Sequence, residues 1–106
     1  MMKEIKRAKL KRRPSAPGVV LKEIFLDENG ITQAQFAKDL SELTSGRVKV
    51  STMKTKLSEV IKGKRAMSAE FAILISKLLG TNPKMWLNLQ SSLDLWIAEK
   101  ELDLAS

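Results

Sequence analysis

Apolar residues in this chain return at helical spacing in five stretches, and no stretch alternates long enough to read as a strand. Leu21, Ile24 and Phe25 follow Val19 at i, i+3, i+4 spacing, and Asn29-Gly30 ends this first helix because both residues tolerate a left-handed C-cap. Thr32 opens a second helix, where Gln35 completes a capping box and Ile31 is placed to staple onto Phe36. Phe36, Ala37, Leu40 and Leu43 form its buried face, and Thr44-Ser45-Gly46 reads as a loop. Ser51 or Thr52 caps a third helix that turns Met53, Leu57, Val60 and Ile61 inward and closes at Lys62-Gly63-Lys64-Arg65. Ser68 caps a fourth, with Glu70 suited to the positive end of its dipole. Phe71, Ile73, Leu74, Ile75, Leu78 and Leu79 make this helix apolar enough to be central to the core, and Gly80 stops it. Asn82 caps the fifth helix, Pro83 sits in its first turn, and Trp86, Leu89, Leu93, Trp96 and Ile97 line one side to about Glu99. The pattern predicts an all-α, five-helix bundle without internal repeats.

Arg13-Pro14-Ser15-Ala16-Pro17-Gly18 breaks the chain before the first helix. The expected organisation is a flexible basic arm over 1–16, one helical domain over 17–99 and a short tail over 100–106. With 106 residues, 43% apolar and 29% charged, the chain fits one soluble domain.

The sequence has no Cys and no His. That removes disulfides, a thiol nucleophile and the commonest metal ligand and general base. No two acids are spaced as a catalytic dyad and no glycine-rich phosphate cradle is present, so neither an enzyme nor a bound metal or cofactor is expected. No apolar run approaches the roughly 20 residues of a membrane span. The charged N-terminus lacks the apolar segment of a secretory signal. A cytoplasmic binding protein without a membrane partner is the expectation.

Charge narrows the choice of partner. The 19 Lys and Arg against 12 Asp and Glu give a net +7, unevenly placed. Residues 1–13 carry seven basic side chains and one acid, and residues 47–65 carry the same, each block netting +6 on an otherwise slightly acidic chain. The first block is either solvated surface or an interaction arm. Neither block holds an aromatic residue, so neither offers a stacking platform for single-stranded RNA. The second block lies inside a folded pattern. Helices two and three, followed by a core helix, have the order of a helix-turn-helix, in which the second helix enters the major groove of DNA.

With Leu57 inward, Thr52, Thr55, Glu59 and Lys62 point outward, flanked by Lys56 and Ser58. Hydroxyls and amines of this kind donate to bases or phosphates. Arg47, Lys49, Lys54, Lys62, Lys64 and Arg65 surround them as phosphate neutralisation requires, with Ser51 at the helix start. Thr32 and Gln33 either offer side chains and free N–H groups to a phosphate or serve only the helix start.

The run Leu57 to Gln90, LSEVIKGKRAMSAEFAILISKLLGTNPKMWLNLQ, resembles the HigA-type antitoxins of the XRE/Cro-like helix-turn-helix superfamily. So do Ala16-Pro17-Gly18 with the helix ending in Phe25-Leu26, and Gly30-Ile31-Thr32-Gln33. The resemblance covers about residues 16–97. It is most specific at Gly63-Lys64-Arg65 and at Gly80 to Gln90, where Trp86, Asn88 and Gln90 match. It implies a lambda-repressor-like helical fold and a small homodimer that binds its own operator and neutralises a HigB-type, mRNA-cleaving toxin. By matching positions, it assigns Lys54, Thr55 and Lys56 to the base-facing segment and Gln33 to the start of the first motif helix. The last helix, about 82–99, would carry the dimer interface at Leu89, Leu93, Trp96 and Ile97, although core packing equally accounts for Trp86 and Trp96.

The chain departs from the family between Leu40 and Leu57, where SELTSGRVKV (41–50) intervenes in place of a short turn. Either helix two is prolonged to Leu43 before a long loop, or the recognition helix starts earlier. A solitary transcriptional regulator, or a toxin-binding module that has lost DNA binding, are the alternative functions.

Overall fold

The computed structural model describes residues 12–102. The expected arm over 1–16 and tail over 100–106 fall in large part outside the described residues. Five helical segments and no strand occur among the described residues: α1 (Pro17–Val20, continuing as a π-helical segment, Leu21–Leu26), α2 (Gln33–Leu43), α3 (Val50–Ile61), α4 (Ala69–Leu79) and α5 (Pro83–Leu102). Helix α2 packs on α3 and α4, α4 on α5, and α1 on α3 and α5.

The core gathers Leu21, Leu26, Phe36, Leu40, Met53, Leu57, Ile75 and Trp86, each under 2% exposed or close to it. Trp86 ties three helices together. Its ring lies 5.4 Å from that of Phe25, and its Nε1 donates to Thr81 Oγ1 at 2.8 Å, next to the end of α4. A second polar tie joins α5 to the segment before α4, where Gln90 Oε1 accepts from the Met67 amide at 2.8 Å.

The four turns between helices share one device. In each, an amide bonds the carbonyl five residues back: Ile31 to Leu26, Gly46 to Ser41, Lys64 to Glu59 and Thr81 to Ser76. This is the long bond of a Schellman ending, and it needs a left-handed residue just before the donor. Gly30, Gly63 and Gly80 fill that place in three turns; in the fourth it is Ser45, at φ 55.

Several expectations are met, and several are corrected. Thr32 and Ser68 cap α2 and α4 through the amides of Gln35 and Phe71, both at 3.1 Å, and Asn82 Oδ1 accepts from Lys84 at 2.8 Å. The capping box at Thr32 is only half formed, because the Gln35 side chain donates to Asp39 instead, at 2.9 Å.

In the first helix, Leu21 and Leu26 are buried while Ile24 is 57% exposed. The π turn is the cause: its bonds span five residues, as from Asp27 to the Lys22 carbonyl, so residues five apart share a face.

Leu43 is 39% exposed, and Ser41 and Thr44 occupy the inward positions that continue the Ala37 and Leu40 stripe. Ile73, expected in the core, is 46% exposed. Helix α3 begins at Val50 with Lys49 as its N-cap and no side-chain cap, placing Ser51 and Thr52 inside the first turn rather than at the cap. Helix α5 runs on to Leu102.

Candidate nucleic-acid interface

The segment 41–50 decides how the third helix is presented, and both expected alternatives are realised in part: α2 extends to Leu43 and α3 starts early at Val50. Two buried hydroxyls fasten the loop between them. Ser41 Oγ donates to the Val48 carbonyl at 2.6 Å. Thr44 Oγ1 donates to the Ser41 carbonyl at 2.7 Å and accepts from the Val48 amide at 3.1 Å. Arg47 Nε adds a bond to the Thr44 carbonyl at 3.2 Å. Arg47 and Lys49 thus stand exposed on a fixed loop at the start of α3.

On α3 the expected outward Thr52 and Thr55 are exposed, as are Ser51 at its start and the cation Lys54, and Lys62, Lys64 and Arg65 are exposed beyond its end, while the flanking Ser58 is half-buried. Thr55 Oγ1 donates to the Ser51 carbonyl at 3.2 Å, which leaves its lone pairs outward. Glu59 is half-buried and binds Arg65 at 2.7 Å, neutralising one cation of the group. Lys56 is also half-buried and borders a cavity behind the helix.

Thr32 and Gln33 are exposed at the start of α2, along an open groove shared with Lys22 and Asp27. The Lys22 ammonium hydrogen-bonds and pairs with Asp27 at 2.8 Å, which raises its pKa above the usual lysine value.

Unlike α2 and α4, helix α3 starts without a side-chain cap. Its first turn contains no acid and no side-chain cap, and Lys49 sits at the cap position itself. Cations near the positive end of a helix dipole oppose helix stability. The same arrangement favours an approaching anion.

On α5, Leu93 is buried, whereas Leu89, Trp96 and Ile97 are half-buried. Two cations lie over the Trp96 ring: Arg13 Cζ at 5.6 Å and Lys100 Nζ at 5.5 Å. The Arg13 contact had no signal in helical periodicity, since it joins an irregular segment to a distant helix. The clamp by Ser41 and Thr44 did leave one, in hydroxyl side chains set at the period of an apolar face. Among the described residues no group of three or more His, Cys, Asp or Glu could hold a metal ion, and no helix is long and apolar enough to cross a membrane.

A paired α2–α3 unit with an exposed basic second helix, braced by a core helix, defines a helix-turn-helix protein. No protein-family model matches the chain. It is 35% identical over 89 residues to the uncharacterised helix-turn-helix-type transcriptional regulator YddM of Escherichia coli (strain K12), covering 84% of this chain and 83% of that protein. Antitoxin HigA-1 of Vibrio cholerae is 34% identical over 88 residues, 83% of this chain and 73% of the relative. The structure of Pseudomonas aeruginosa antitoxin HigA with the higBA promoter superposes with a TM-score of 0.69 at 29% identity, covering 84% of this chain and 86% of the other. The chain belongs to the HigA-type helix-turn-helix antitoxins.

Proposed function

We propose that this chain is the antitoxin of a toxin–antitoxin pair, that it represses its own operon by sequence-specific binding of operator DNA, and that it neutralises a HigB-type ribonuclease. One observation carries the DNA half: the start of α3 lacks a side-chain cap and an acid and has Lys49 at the N-cap with Arg47 exposed just before it, a poor design for helix stability and a good one for phosphate. Ser51, Thr52, Lys54 and Thr55 would face base edges. Arg47, Lys49, Lys62 and Lys64 would take phosphates, Arg65 only by exchanging Glu59 for one, and Thr32 and Gln33 a phosphate at the start of α2. Lys56 joins the base-facing set only by leaving its half-buried position. The Pseudomonas aeruginosa HigA structure with its promoter supports this half. Membership of the antitoxin family supports the toxin half, and a function as regulator rather than enzyme.

The protein would act as a homodimer through α5, with Leu89, Leu93, Trp96 and Ile97 at or beside the contact. Two-fold symmetry then calls for operator half-sites about one helical turn, roughly 34–36 Å, apart. The test is a gel shift on the DNA upstream of the chain's own reading frame across a salt series, with co-purification of the product of the adjacent frame. Binding whose logarithm falls steeply with log salt is expected. Salt-independent or absent binding overturns the operator half. Failure to co-purify with the neighbouring product overturns the toxin half.

A further inference from the structure

Behind the basic face of α3 lies a cavity of about 90 Å³, bounded by the 41–50 loop, α3 and the start of α4. Val48, Met53, Val60, Phe71 and Leu74 make the apolar part of its wall, and Thr44 and Ser68 add hydroxyls. The volume exceeds the need of a single water and is smaller than the roughly 150 Å³ that takes up benzene, so it suits a short aliphatic tail.

The charged groups at its border are Lys56, Arg65 and Glu70. Arg65 is already held by Glu59 at 2.7 Å. Glu70 is exposed and solvated in the first turn of α4. Lys56 differs from both. It is half-buried, and among the described residues it has neither an ion pair nor a hydrogen bond. The Lys56 ammonium is therefore the one cation at this border that no carboxylate already holds, and it is available to pair with an anion.

We propose that this cavity binds a short-chain aliphatic carboxylate. The tail lies against Met53, Val60, Phe71 and Leu74, and the carboxylate pairs with the Lys56 ammonium. Nothing in this assignment depends on whether α3 enters a DNA groove.

The test is a titration of the full chain, followed by amide ¹H–¹⁵N shifts, with butyrate as the probe. Acetate serves as the control without a tail and 1-butanol as the control without a charge, all at matched ionic strength. Butyrate is expected to give saturable shifts at Val48, Met53 and Phe71, with both controls binding at least about tenfold more weakly. Lys56→Met keeps the aliphatic stem and removes the charge, and is expected to weaken butyrate binding about tenfold or more, toward the butanol value. Filling the space with Val48→Phe is expected to abolish the response. No saturable shift, equal binding of butyrate and butanol, or unchanged binding by Lys56→Met would each overturn the proposal.

Discussion

The buried indole of Trp86 donates to Thr81 Oγ1 at 2.8 Å, and Thr81 in turn donates to Ser76 Oγ at 3.1 Å. The chain of bonds lets α5 set a large polar-tipped ring into the core without leaving its N–H unpaired. Thr81→Val keeps the shape and removes the acceptor, so the indole N–H is stranded in the interior. A loss of about 1–3 kcal/mol in urea unfolding is expected. In the Trp86→Phe background the same change should cost clearly less, because the donor is already gone. Equal costs in both backgrounds would show that the bond contributes little.

Gly18 lets α1 lie against α3. A Cβ at this position would fall 2.0 Å from the Val60 carbonyl oxygen and 2.7 Å from Ile61 Cα, both backbone atoms that cannot swing aside. Gly18→Ala should therefore prise the two helices apart and destabilise the fold by about 3 kcal/mol or more, at the upper end of overpacking costs. Thermal unfolding followed by circular dichroism measures it.

Ser45 holds a position that is Gly in the three other turns, at φ 55. A side chain in the left-handed region costs about 1–2 kcal/mol, of which a glycine's extra unfolded-state entropy returns part. Ser45→Gly should be a net stabilisation of about 0.5 kcal/mol or more, seen as a melting temperature raised by a few degrees. An unchanged or lowered melting temperature would contradict the assignment of strain to this residue.

On the operator-binding reading, Lys54 neutralises a phosphate or donates to a base from the exposed face of α3. Lys54→Ala should weaken binding, and the salt dependence tells the two roles apart. A phosphate role lowers the slope of log affinity against log salt by about 0.9 and affects all sequences alike. A base-reading role leaves much of the slope and relaxes preference at one position.

Helix number, the caps at Thr32, Ser68 and Asn82, and the glycine stops were legible because each depends on residues three to five positions apart. The errors arose where a distant partner overrode local spacing. Ile24 lost its inward place to Leu26 once the helix took a π turn, and no side-chain pattern marks a change in backbone bonding. Leu43 yielded to Ser41 and Thr44 because those hydroxyls were needed to hold the loop, a need invisible until the loop's path is known. The start of α3 was misplaced by two or three residues for the same reason: the N-cap is Lys49, just after the clamp on Val48, and not Ser51 or Thr52. Exposure of Thr52, Thr55 and Lys62 followed from periodicity, whereas Glu59, also placed outward, and the flanking Lys56 and Ser58 are half-buried.

The position of Arg13 over Trp96 fastens the irregular segment before α1 to α5. With Lys100 on the same half-buried ring, two cations share one indole on the helix proposed to carry the dimer contact. Trp96→Ala would release both at once while leaving the charge itself untouched, so one substitution separates where these cations are held from how many there are.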